Sequence, residues 1–322
     1  LAFRSNKFQI SPFAFNGCNK IDSIIVKSPN TIALPQNPNI KTENLKSINL
    51  ESKLDIVLDN SFIYDQMNLE SIKLRARKNL IFSNSPFKVH KLLSSVYIEC
   101  GCDIEISSDT FDECSPLSNF TIAKSKSLII HENSFCDFPS LKEVNLHGQN
   151  VTIENDCFKN CPSLESFKVS GSRKVEVRSN QFENCLNLKT ILVSVSHVRS
   201  DCILQLADFC FKHATNLSKI KFVGGSINIK KDLFVNAQAT PNPLILAKGK
   251  QDKCHLTELS IENAINVTID SGILNNCQEL KKLCVSCKKL AIDDNCFNNN
   301  PELEEVSFAV QNLSIKSKCF NN

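Results

Sequence analysis

The sequence predicts a β-rich α/β solenoid: a right-handed superhelix of about 12 coils with a parallel, concave sheet. Three observations lead there. An apolar anchor recurs every 23 or 24 residues through almost all of the 322-residue chain. Further apolar residues sit at fixed offsets from each anchor, and the flanks of each anchor alternate with period two. A period of this length is the signature of a coil that stacks on copies of itself.

The anchors fall at positions 15, 39, 63, 87, 111, 135, 158, 182, 211, 234, 274, 297 and 320, and ten of the thirteen are Phe. Around Phe158 the apolar set is Val151 and Ile153 before it, then Cys161, Leu164, Phe167 and Val169 after it. Around Phe182 it is Val175, Val177, Cys185, Leu188, Ile191 and Val193. The offsets are minus 7, minus 5, 0, often plus 3, then plus 6, plus 9 and plus 11. The exceptions Asn39, Ile63 and Leu274 keep their apolar flanks.

Each part of the pattern predicts a structural element. The stretch Leu69-Ile72-Leu74, repeated as Leu45-Ile48-Leu50 and Leu141-Val144-Leu146, ends in an alternation that reads as a short strand with one buried face. The pair at minus 7 and minus 5, such as Leu128 and Ile130, predicts a second short extended segment. Polar Ser, Asn, Lys and Gly residues make the turns, and a brief helical turn near the anchor carries the plus 3 residue inward. One coil buries too few side chains to offset the ordering of its own backbone, so neighbouring coils must cover each other. The whole chain, 1–322, therefore reads as one solenoid with two insertions, 194–203 and 238–255.

The run Phe158-x-x-Cys161-x-x-Leu164-x-x-Phe167-x-Val169, with Ile153 upstream, resembles the BspA-like, or Treponema-type, leucine-rich repeat. The same form stands at Phe111-Cys114-Leu117, Phe182-Cys185-Leu188 and Leu274-Cys277-Leu280, and the resemblance runs from Phe8 to Phe320. The chain has Ile153-Glu154, Ile130-His131 and Ile292-Asp293 where that family usually has Ile-Gly, and it lacks the Pro often found after the strand. The resemblance implies a bacterial or protist surface protein used in adhesion and in host or matrix contact. It carries over no catalytic residue.

Composition narrows the function classes. With 42% hydrophobic and 22% charged residues the chain is that of a folded domain, and its net charge of +3 does not argue for nucleic acid or an anionic membrane as main partner. Its 21 Phe, with no Trp and two Tyr, read as an aromatic spine. Its 16 Cys fall largely into slots: Cys18, Cys114, Cys161, Cys185 and Cys277 at plus 3, and Cys157, Cys210, Cys296 and Cys319 just before anchors. Such recurrence predicts compact buried thiols. Stacking also brings Cys161 near Cys185 and Cys296 near Cys319, which leaves bridging open in an oxidising compartment. Cys100-Gly-Cys102 and Cys284-Val-Ser-Cys287 stand outside these slots and read as surface thiols, since no second pair completes a zinc set.

No enzyme motif is present: there is no G-x-S-x-G, no phosphate loop and no H-E-x-x-H, and the six His are scattered over different offsets. His90, in a plus 3 slot, reads as a packed substitute for Cys. The sequence thus predicts no catalytic residue, metal or cofactor. Five N-x-S/T sequons, at Asn119, Asn150, Asn216, Asn266 and Asn312, permit secretion. The first coil begins at Phe8 and Ile10 and the chain stops two residues after Phe320 without a polar cap, so the expectation is a piece of a longer array.

The expected binding surface is the concave sheet, where offsets plus 8, plus 10 and plus 12 point away from the core. Lys168, Lys219, Lys221, Glu258 and Glu262 stand out on it, together with Lys248, Lys250 and Lys253 in the longer insertion. The first reading is a non-enzymatic surface or secreted protein that binds a protein or glycan ligand on a host cell or matrix, with neither nucleic acid nor a small-molecule substrate. The alternative is an intracellular, cytoplasmic scaffold for protein–protein interaction.

Overall fold

The computed structural model describes residues 1–6, 8, 18, 20–34, 44–58, 68–82, 87, 90–196, 202–208, 210–211, 214, 216–230, 233 and 255–321. Anchors 15, 39, 63 and 234 lie outside these residues, as do Pro241, Pro243, Lys248, Lys250 and Lys253 of the longer insertion.

The L-x-x-I-x-L stretches form strands, and each pairs in parallel with the matching strand one coil on. Ala2–Arg4, Ser23–Ser28, Ser47–Ser52, Ser71–Ala76, Ser95–Cys100 and Asn119–Lys124 follow one another in an unbroken ladder. The ladder continues through Glu143–Ile153, Ser166–Val177, Thr190–Val195, Lys219–Val223, Glu258–Ile269, Lys282–Ile292 and Glu305–Ile315. Parallel strands joined by crossovers wind right-handed. The pair at minus 7 and minus 5 forms the expected second ladder, as in Asp103–Ile106, Ser127–Ile130 and residues 150–153.

Alternation sets the faces. In Ser71–Ala76 the buried residues are Ile72, Leu74 and Ala76, while Ser71, Lys73 and Arg75 stay partly exposed. The inward residues of all coils join one continuous core that runs from Ile24 to Phe297. At its centre the rings stack: Phe87 on Phe111 at 5.2 Å, Phe111 on Phe135 at 5.8 Å, Phe135 on Phe158 at 5.4 Å and Phe158 on Phe182 at 6.0 Å. Phe182 continues to Phe211 at 6.1 Å despite the 29-residue step, and Phe297 to Phe320 at 5.2 Å closes the series. The aromatic spine is present as the period predicted.

Three features differ from expectation. Nine turns carry both extended segments and a described anchor, the rest having anchors outside the described residues, so the coil count differs slightly from the twelve expected. In several coils the two short strands fuse into one bent strand of 11 or 12 residues, as in Glu143–Ile153 and Ser166–Val177. Gly171 sits at such a bend, where a Cβ would lie 2.4 Å from the Lys174 carbonyl oxygen, so only glycine lets the chain fold back so closely.

The third difference is the anchor turn, which contains no α-helix among the described residues. Instead, left-handed residues bracket the anchor at minus 2 and plus 2. Asn133 and Asp137 flank Phe135, Asp156 and Asn160 flank Phe158, and Asn180 and Asn184 flank Phe182, all with φ between 56° and 64°. Asn and Asp tolerate this region better than most residues. Their side chains also join coils: Asn160 Nδ2 donates to Asp137 Oδ1 at 2.7 Å and Asn184 Nδ2 to Asn160 Oδ1 at 2.6 Å.

The Cys slots have a physical reason beyond compactness. At plus 3 the side chain donates to the carbonyl of the preceding anchor: Cys114 to Phe87 at 2.9 Å, Cys161 to Phe135 at 3.1 Å and Cys185 to Phe158 at 3.0 Å. Asn300 does the same to Leu274 at 2.9 Å. Buried His90 fills the slot after Phe87, as expected, with Nδ1 3.1 Å from that carbonyl. Just before the anchor, Ser134 reaches the Ile106 carbonyl at 2.8 Å, Cys157 that of His131 at 3.2 Å and Cys296 that of Asp270 at 3.1 Å. Each slot selects a small donor that satisfies a buried carbonyl.

The predicted neighbours Cys161 and Cys185, and Cys296 and Cys319, are unbridged. Cys100 and Cys102, expected as surface thiols, form a disulfide, and Cys100 is buried. The turn at Gly101 sets the two side chains on the same side of the chain with their Cα atoms 5.3 Å apart, within disulfide reach.

Candidate functional site

The outward residues of the first ladder form three columns, and register decides which charges meet. Lys219, predicted to contact ligand, faces Glu258 on the next strand, with Nζ 3.2 Å from its carboxylate. Lys221 reaches Glu262 at 2.7 Å, and Lys168 reaches Glu143 at 3.2 Å. Of the five predicted residues in the described chain, Lys219, Lys221, Glu258 and Glu262 are brought together as neighbouring cations and carboxylates, whereas Lys168 lies two strands away; each lysine is already paired. Lys248, Lys250 and Lys253 lie outside the described residues. The carboxyl of Glu143 is held below the usual range by hydrogen bonds from Asn145 and then Lys168. Lys282 with Glu305, at 2.8 Å, lowers the Glu305 carboxyl in the same way. Pairs this exposed contribute little to stability.

A second concentration of charge lies at the other end of the same face, apart from the residues expected to contact a ligand. Arg4, Lys27, Glu51, Arg75, Glu99 and Lys124 occupy one column, register partner to register partner. Lys53 and Arg77 follow in the turns beside it, and together these eight residues line a groove of about 720 Å³. Lys27 pairs with Glu51 at 2.6 Å and Arg75 with Glu99 at 3.2 Å. The hydrogen bond from Lys27 holds the Glu51 carboxyl below its ordinary value. Arg4, Lys53, Arg77 and Lys124 make no ion pair among the described residues.

The groove's turns repeat too. Ser52 Oγ accepts from the Leu54 N–H at 3.0 Å and donates to the Asn30 carbonyl at 2.8 Å, while Ser28 Oγ accepts from the Asn30 N–H at 3.1 Å. These bonds fix the backbone from which Lys53 projects. Tyr97, one column in, lies under Lys73 at 4.9 Å and Arg75 at 5.3 Å, and its hydroxyl donates to Glu99 at 3.2 Å.

No group of three or more His, Cys, Asp and Glu among the described residues could hold a metal ion. Cys284 points outward beside Glu305, while Cys287 is buried, so this pair does not converge. No helix among the described residues is long and apolar enough to cross a membrane.

Comparison with known proteins agrees with the geometry. A model of the BspA type leucine rich repeat region matches in six copies over residues 1–94, 104–240 and 250–322. No curated protein matches the chain's sequence. Among solved structures, a chain of the Toll–Spatzle complex of Drosophila is similar over 92% of this chain and 55% of that one, at 14% identity and a TM-score of 0.38. The chain thus spans about half the length of that relative. A leucine-rich repeat protein from Bacteroides ovatus is similar over 95% of this chain and 83% of its own, at 12% identity and a TM-score of 0.30. Leucine-rich repeats are a protein-interaction fold whose families are generally non-catalytic binding scaffolds, and the BspA type is typically extracellular or at the cell surface. With its repeats matched along nearly the whole length and its strands stacked coil on coil, the chain belongs to the BspA-type leucine-rich repeat family.

Proposed function

We propose that the chain is a non-enzymatic surface protein that holds a protein or glycan ligand of a host cell or matrix on its first strand ladder. The supporting observation is the face itself: thirteen parallel strands paired in one ladder, with polar and charged side chains outward at coil after coil. A rigid, extended face of this kind suits a large partner, because the backbone that carries its side chains is already ordered before binding. The reading places contacts at Lys168, Lys219, Lys221, Glu258 and Glu262, with the 238–255 insertion, including Lys248, Lys250 and Lys253, beside them.

Binding of the purified chain to host cells tests this map. Lys219→Ala with Lys221→Ala strips the cations from Glu258 and Glu262, and deletion of 238–255 removes the insertion. Each is expected to weaken binding roughly tenfold or more, the effect of losing a central contact. Undiminished binding by both variants would rule the map out.

A second reading, an intracellular scaffold, draws support from neighbouring buried thiols, Cys161 and Cys185, that are not bridged. Protease treatment of intact cells separates the two: a surface protein is cleaved, and a scaffold is spared.

A further inference from the structure

We propose that the groove along Arg4, Lys27, Arg75 and Lys124, with Lys53 and Arg77 at its edge, binds an extended anionic polysaccharide bearing sulfate or carboxylate groups. Six cations and two carboxylates line it, so this one groove carries more than the whole chain's formal net charge of +3. The remainder of the molecule is close to neutral, which makes the groove the place where an anion accumulates.

The layout argues for a chain-like ligand. The column spans six adjacent strands, and at a strand spacing of about 4.8 Å this is a track of roughly 24 Å. Cations alternate with the carboxylates of Glu51 and Glu99 along its inner part, while Arg4 and Lys124 at its ends and Lys53 and Arg77 at its side remain uncommitted. A ligand with anionic groups spread along its length can engage these four without breaking the existing pairs.

Two competing ligand classes fit less well. An acidic protein surface would be expected to find an apolar pocket for a buried anchor, yet among the described residues the only apolar side chains lining the groove are those of Pro29 and Ala76. A single-stranded nucleic acid needs an aromatic platform on which bases stack; no aromatic residue is among the described residues lining the groove, and the ring of Tyr97, one column in, is already occupied by Lys73 and Arg75. A polar, open, basic track suits a hydrophilic polyanion.

The proposal adds a ligand class and a second site to the binding role above, and its test does not use the Lys219 and Lys221 surface, so the two can fail separately. The experiment titrates fluorescent heparin dodecasaccharide with the full chain and follows anisotropy over a salt series. Binding should weaken steeply as salt rises, because each engaged cation releases a counterion. Lys53→Glu with Arg77→Glu should weaken binding at least tenfold, while Lys288→Glu with Lys289→Glu, an equal change of net charge on distant coils, should shift it less than twofold. If charge reversal disturbs folding, seen in the thermal midpoint, Lys53→Gln with Arg77→Gln should still show the loss. Equal losses at the two sites, no heparin binding at low salt, or tighter binding of polyglutamate or single-stranded DNA of matched charge would each overturn the proposal.

Discussion

Replacing Phe158 by Ala is expected to lower the unfolding free energy by about 3–5 kcal/mol, read as a shift in the urea midpoint. The ring is fully buried, stacked between Phe135 at 5.4 Å and Phe182 at 6.0 Å, with Phe167 edge-on at 5.2 Å. Its neighbours belong to rigid coils tied by backbone hydrogen bonds on both sides, such as Phe135 N–H to the Cys157 carbonyl at 2.9 Å. They cannot collapse into the space left behind, so the full cavity cost is felt. Because coils contact chiefly their neighbours, the variant should also unfold less cooperatively, splitting near the middle of the array. A change below 1 kcal/mol would mean that the column is not what holds the coils together.

The second large effect concerns thiol chemistry. Nine of the unbridged cysteines among the described residues are buried, and burial pushes the Cys114 thiol up to about 12 and that of Cys296 to about 11. Cys157 and Cys210 are driven well above the ordinary thiol range for the same reason, and Cys161 is raised by its hydrogen bond to Cys185 together with burial. At pH 8 a thiol with a pKa near 12 is ionised to about one part in ten thousand, against roughly a quarter for an unperturbed one near 8.5. In native protein, iodoacetamide should therefore label exposed Cys18 first and Cys136, Cys284 and Cys319 slowly. Peptide mapping should find the nine buried thiols modified only after unfolding, at rates at least a thousandfold higher than in the native state. Cys100 and Cys102 should stay unlabelled until a reductant opens their bridge. Rapid native labelling of Cys161 or Cys185 would contradict the packing described.

The spine and both ladders were legible in the sequence because every coil repeats the same burial problem, and Phe, Leu and Ile answer it at the same offsets. The turns were legible only in part. Asn or Asp stands at minus 2 in seven of the thirteen coils and at plus 2 in eight, less regularly than the ten Phe anchors, and these residues mark backbone handedness, which apolar periodicity does not register. Cys161 and Asn300 look unlike each other as hydrophobes and alike as donors, so the slot they share shows itself once its carbonyl partner is known. The candidate surface was less legible still. The pairing of Lys219 with Glu258 spans 39 residues across an insertion, and sequence spacing alone gives no reason to set them opposite. The basic track could have been found by reading the plus 12 column through the early coils, except at Lys124, where the register slips between Ile122 and Lys124.

One property of the ladders has a mechanical consequence. Their hydrogen bonds run along the long axis, from Ser47 to Ser71 and from Ser71 to Ser95, each link 24 residues farther along the chain. Tension applied between the two ends loads these bonds one after another, as in a zipper, instead of shearing many at once. Such a molecule yields by peeling: every coil set loose adds 24 residues, about 80 Å of contour at ~3.3–3.6 Å per residue. A tether built this way absorbs a pull by lengthening in instalments while the remaining coils keep their shape.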